Sequence, residues 1–141
     1  MISILIFQKL RLVEEPDIVE PYLCQQSSID NIINAFKSSK GKYENLVDPL
    51  HKIVMHSVQI TRKFVGDGDV LITVLLPKLN HPKPLFRLTV IKILARLLDY
   101  HKDLQGINQR FSLNDLLQKT VDMDGAVLVK EMAQKMLLKL N

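Results

Sequence analysis

Residues 71–79 read LITVLLPKL, and the same apolar spacing stands in IDNIINAF at residues 29–36 and LNDLLQKTV at residues 113–121. The matched positions are Ile29, Ile32, Ile33 and Phe36; Leu71, Val74, Leu75 and Leu79; and Leu113, Leu116, Leu117 and Val121. This i, i+3, i+4, i+7/8 spacing gathers the apolar side chains on one side of a helix. The anchors Ile29, Leu71 and Leu113 stand at equal intervals along the chain.

A second helix follows each of these in step. LVDPLHKIVMHS (46–57) presents Leu50, Ile53 and Val54, and FRLTVIKILARLLDYH (86–101) presents Ile91, Leu94, Ala95 and Leu98. VLVKEMAQKMLLKL (127–140) presents Val129, Met132, Met136 and Leu140 on the same reading. Leu50, Ile91 and Met132 are likewise evenly spaced, at almost the same interval. Two helix positions repeating at nearly one period, within the roughly 40–47 residues of such repeats, point to the armadillo/HEAT class. The expected fold is all-α, a right-handed armadillo/HEAT-like solenoid of about three repeats. Its divisions are a remnant of a preceding repeat at 1–26, repeats at 27–67 and 68–110, and a C-terminal capping repeat at 111–141.

Helix-end signals accompany the period. Ser27 and Ser28 are cap candidates before Ile29, as is Asp69 before Val70, and Ser112 with Asp115 imitates a capping box. His81-Pro82-Lys83-Pro84 breaks the chain, so Leu79 or Asn80 should end one helix and Pro84 should stand near the start of the next. GDGD at residues 66–69 reads as an inter-repeat turn with glycine supplying positive φ, because an EF-hand's alternating oxygens and closing Glu are missing.

Composition bounds the rest. The chain has 141 residues, 47% of them hydrophobic but only 6% aromatic and without Trp, so Leu, Ile and Val must build the core. No apolar run reaches the length of a membrane span. The opening ISILIFQKL lacks the basic start and cleavage site of a signal peptide and reads as a charged amphipathic helix at the cut edge of something longer. Lone Cys24 reads as a small buried hydrophobe and suits a reducing, cytosolic or nuclear compartment, with a cytoplasmic location expected. The net charge of +4 is spread along the chain, which does not favour nucleic acid.

No constellation for catalysis is present. His51, His56, His81 and His101 lack metal-ligand spacing and read as surface or groove residues. Glu14 and Glu15 precede Pro16 in a connection, and no phosphate loop, nucleophile elbow or kinase signature occurs. Catalytic, metal and cofactor sites are therefore all read as none.

Two surfaces remain. Carrying the repeat offset across makes His51, Lys92 and Ala133 equivalent, and likewise Met55, Arg96 and Leu137. A partner groove is accordingly placed at His51, Met55, Lys92, Arg96 and Asp99, with Arg96 the bidentate donor to an acidic partner. Uncovered Ile2, Leu5 and Leu10 form a candidate self-association surface, a homodimer being the alternative reading.

The segments LCQQSSIDNIINAFKSS (23–39), DPLHKIVMHSVQIT (48–61), LLPKLNHPKPLFRLTVIKILARLLDYH (75–101) and AVLVKEMAQKMLLKL (126–140) carry a family resemblance. The chain resembles the C-terminal armadillo-repeat tail of the epsilon-class MAP kinase kinase kinases of plants and the septation-initiation and mitotic-exit kinases of fungi. The resemblance implies a Ser/Thr kinase parent whose catalytic domain lies far upstream, with this portion a regulatory or targeting tail. It implies a small GTPase or spindle-pole scaffold as partner, and the spindle pole or division site as location. No kinase residue and no GTPase contact carries over. In armadillo repeats an arginine after the turn proline, Arg87 in PLFRL here, has a structural task. The linker in VDMDGAVLVKEM (121–132) is shorter than the family's and bears on the shape of the last turn.

Overall fold

In the computed structural model, residues 20–37 and 42–141 are described, and among them the chain is all-helical, with no strand. Ile2, Leu5 and Leu10, and with them Glu14 and Glu15, lie outside the described residues. The helices are α1 (Glu20–Leu23), α2 (Gln26–Lys37), α3 (Val47–His56), α4 (Val58–Gly66), α5 (Val70–Leu75), α6 (Pro84–Asp99), α7 (Leu104–Phe111), α8 (Leu113–Met123) and α9 (Val127–Leu140). Among the described residues these nine helices follow one another in groups of three, α1–α3, α4–α6 and α7–α9. The leading helices α4 and α7 lie between the two repeating stripes and were not legible from their period alone.

The apolar stripes bury as their spacing requires. Ile29, Ile32, Ile33 and Phe36 of α2 are buried, as are Leu71 and Leu75 of α5 and Leu113 and Leu117 of α8. Leu50, Ile53 and Val54 of α3 and Ile91, Leu94 and Leu98 of α6 join them in one continuous core. Each such side chain contributes about 1.5–3 kcal/mol by leaving water, so packing between helices holds these short elements in place.

Prolines set the helix ends. Pro77 has no N–H to continue the α5 hydrogen-bond ladder, and the chain tightens into a 3-10 turn at Leu76–Asn80. His81, before Pro82, is extended at φ −60°, ψ 140°, and Pro84 opens α6 at its first turn.

Several expected caps are corrected. Helix α2 starts at Gln26, so Ser27 and Ser28 lie inside its first turn and do not cap it. Asp69 and Ser112 precede α5 and α8 but adopt left-handed backbone, with φ 61° and 52°, and neither side chain makes a cap bond. Ser57 and Asp103 provide side-chain caps instead, accepting from the N–H of Ile60 at 3.1 Å and of Gly106 at 2.9 Å. Gly68, at φ 68°, supplies the positive φ expected of the GDGD turn.

The third helix pair is also displaced by one register. Ala133 is fully buried, with Val129, Met136 and Leu137, whereas Met132 and Leu140 are only partly covered. The core position matching Leu50 and Ile91 is thus Ala133, not Met132. The interval from Ile91 to Ala133 is one residue longer than that from Leu50 to Ile91.

His81 and His101 are more enclosed than surface residues, although His81 also borders a hollow beside the 3-10 turn. Their side chains keep only 9% and 8% of their exposure. Each ring accepts a backbone N–H at Nδ1, from Lys83 for His81 and from Asp103 for His101. Each therefore presents Nε2–H to a carboxylate at 2.8 Å, that of Glu44 for His81 and of Asp69 for His101. Arg110 also reaches Asp69. Hydrogen bonds from His81 and then Lys83 hold the Glu44 pKa below its ordinary value. These brackets join consecutive loops across the fold.

Candidate docking cleft

Helix direction can be read from polar contacts. Thr89 near the start of α6 donates to Asp48 near the start of α3, and Arg96 near the end of α6 reaches Val54 near the end of α3. Like ends meet, so α3 and α6 run parallel. Asp99 at the end of α6 pairs with Lys139 at the end of α9, and Arg87 near its start pairs with Asp124 just before α9. Three parallel helices result, with α6 in the middle.

A hollow of about 410 Å3 opens across them, lined by His51 and Met55 of α3, Lys92, Ala95, Arg96 and Asp99 of α6, and Met132, Lys135, Met136 and Lys139 of α9. The sequence-based groove residues His51, Met55, Lys92, Arg96 and Asp99 all border this hollow. Met132, Lys135, Met136 and Lys139 were missed, because the shifted register of α9 exchanges them for Ala133 and Leu137. The signal was in the sequence. Met132/Met136 and Lys135/Lys139 are two i, i+4 pairs on adjoining stripes of one helix.

Arg96 does not stand ready as a bidentate donor. Its Nε donates to the Val54 carbonyl at 3.0 Å and its Nη2 to Met55 O at 3.4 Å, while its guanidinium lies 4.9 Å from the Tyr100 ring centre. It satisfies carbonyls that the end of α3 leaves without helical partners. Arg62 approaches the same Tyr100 ring at 5.7 Å. Asp99 is neutralised by Lys139. Burial, and then the charge of Lys92, lower the His51 pKa against the pull of Asp48, so His51 is neutral near pH 7. Lys92 is exposed on α6 and Lys135 on α9, and Met55 keeps 47% of its surface open to solvent. The arrangement is an apolar floor under a cationic rim.

Over 132 residues the chain is 30% identical to "Cytokinesis protein sepH" of Aspergillus niger, a match covering 89% of the chain and 10% of that relative. The protein of the same name from Aspergillus terreus matches with the same identity and coverage. "MAP3K epsilon protein kinase 1" of Brassica napus is 25% identical over 131 residues, 87% of the chain and 10% of the relative. The chain thus spans about a tenth of the length of the curated relatives it matches. No family model matches, and no solved structure matches.

Other features offer less. A hollow of about 380 Å3 between the 3-10 turn and α8 is built around Arg87 and Asp124, which satisfy each other. Among the described residues no group of three or more His, Cys, Asp or Glu could hold a metal ion, and no helix is long and apolar enough to cross a membrane.

Proposed function

We propose that the chain is a non-catalytic protein-docking module, part of the C-terminal regulatory region of a Ser/Thr protein kinase in cytokinesis or septation signalling. On this reading the three-helix groups are turns of an armadillo-like right-handed solenoid with its divisions near residues 27, 68 and 111. Taking each short leading helix with the pair that follows moves the later two divisions upstream, to Val58 and Leu104. The observation that carries the docking role is the cleft, where parallel α3, α6 and α9 bring Met55, Lys92 and Lys135 to one opening. Similarity to a cytokinesis protein and to a MAP3K epsilon kinase over most of the chain supports the parent. A small GTPase or a spindle-pole scaffold at the division site is the partner that follows.

The test is titration of the purified chain with a GTP-loaded division-pathway GTPase and with spindle-pole scaffold fragments, followed by fluorescence anisotropy. Binding that weakens in Lys92→Glu/Lys135→Glu supports the assignment. Binding unchanged by that double reversal moves the interface to another face. Arg96→Glu is unsuitable, since it would also strip the end of α3 of its donor.

A further inference from the structure

Resting on the docking reading, we propose that the cleft takes an acidic peptide segment that inserts one large apolar side chain between Met55, Met132 and Met136 while its carboxylates meet Lys92 and Lys135. The floor and the rim argue for the two halves of this ligand separately.

The floor is Met55, Met132, Met136 and Ala95. Unbranched thioether side chains adjust to the shape of an incoming apolar group and accept aromatic or aliphatic contacts alike. A hollow of about 410 Å3 lies in the range of built small-ligand and side-chain pockets. It has room for one large residue with its flanks lying on the rim.

The rim has four cationic side chains, Lys92, Arg96, Lys135 and Lys139, against the single carboxylate of Asp99. Their commitments differ. Lys139 is held by Asp99, and Arg96 by the carbonyls of Val54 and Met55. Among the described residues Lys92 and Lys135 have no ion pair. His51, kept neutral by its surroundings, adds no charge. A basic ligand would meet repulsion on both sides, whereas carboxylates flanking the inserted residue would meet a lysine from α6 and one from α9. Nucleic acid fits less well. The floor has no aromatic face for a base, and the adjacent Tyr100 ring is already flanked by Arg62 and Arg96.

The experiment selects short random peptides displayed on phage against the intact 141-residue chain, then measures resynthesised peptides by fluorescence anisotropy. Acidic residues around a large apolar residue are expected in the selected set. Affinity should fall roughly tenfold in Lys92→Glu/Lys135→Glu and fall again as salt rises. Met55→Ser should weaken the same peptides, and peptides with Lys in place of their carboxylates should bind the Lys92→Glu/Lys135→Glu chain better than the wild type. Circular dichroism confirms that the variants fold. Neutral or basic peptides whose binding depends on Met55 would overturn the acidic ligand and leave the docking reading standing. Peptides indifferent to Lys92, Lys135 and Met55 alike, or no selectable peptides, would overturn the cleft ligand, and the GTPase and scaffold titration then decides the docking reading by itself. Displacement of the selected peptides by a single-stranded oligonucleotide with a steep salt slope would overturn the peptide occupant in favour of nucleic acid.

Discussion

Arg87 holds both oxygens of Asp124, Nε to Oδ2 and Nη2 to Oδ1 at 2.9 Å each, while its Nη1 donates to the carbonyls of His81 at 2.8 Å and Pro82 at 3.1 Å. One guanidinium thus ties the loop before α6 to the loop before α9. Both side chains are largely buried, at 14% and 8% exposure. Asp124 also accepts the Ala126 N–H at 2.9 Å, which closes the short linker whose shape the sequence left open. The structural task that the resemblance implied for Arg87 is visible in these contacts.

Removing one partner leaves the other charge buried. Asp124→Ala should therefore cost about 3 kcal/mol in urea denaturation, near the lower end for a broken buried pair. Arg87→Lys should recover only part of the Arg87→Ala loss, because an ammonium cannot hold both oxygens and both carbonyls. Burial raises the Asp124 pKa, but the Arg87 bonds, the Ala126 N–H and the charges of Arg87 and Lys130 outweigh it, and the result lies below the ordinary carboxylate value. Its stabilisation is then fully present above about pH 4 and is lost as the pH falls through the lower folded pKa. Asp124→Asn should flatten the acid limb of the stability profile.

Two donors approach the Val54 carbonyl: Arg96 Nε at 3.0 Å and Thr61 Oγ1 at 2.9 Å, whose single hydrogen is shared with the Ser57 carbonyl at 2.8 Å. Thr61→Val should cost about 1 kcal/mol, and Arg96→Met a similar amount beyond any lost stacking on Tyr100. The double variant should cost more than their sum by roughly 0.5–1 kcal/mol, since only then is the buried carbonyl without either partner. A double-mutant cycle in urea measures it; strict additivity would mean that water replaces the lost donors.

The register of α9 can be tested at two neighbours. Ala133 is fully buried, and Ala133→Leu should overpack it at a cost of about 1–3 kcal/mol. Met132→Ala, on the cleft wall, should cost clearly less in thermal melts. The reverse order would restore the even spacing read from Leu50, Ile91 and Met132.

Gly106 lies in α7, where alanine normally gains about 1 kcal/mol over glycine. A Cβ there would collide with Asp103 Oδ2, in the side chain that caps the helix through the Gly106 N–H. Gly106→Ala must push that cap aside, so it should give no gain in the wild type. In an Asp103→Ala background the same change should stabilise by about 1 kcal/mol, read by urea denaturation.

That this chain is helical, where its main apolar stripes lie and that they recur at a near-constant interval were all legible in the sequence, because the spacing of Ile29, Leu71 and Leu113 and the prolines around His81 act through local backbone geometry. It also indicated half of the cleft, since His51, Met55, Lys92, Arg96 and Asp99 lie on stripes next to buried ones. The rest was set by packing between helices. The register of α9, the commitment of Arg96 to the end of α3 and the placing of His81 and His101 against Glu44 and Asp69 depend on partners that are distant along the chain. A helix with apolar residues at Met132, Ala133, Met136 and Leu137 can bury either of two adjoining stripes. The choice falls to how closely α6 approaches, and Ala133 permits the closer packing while Met132 is left to line the cleft.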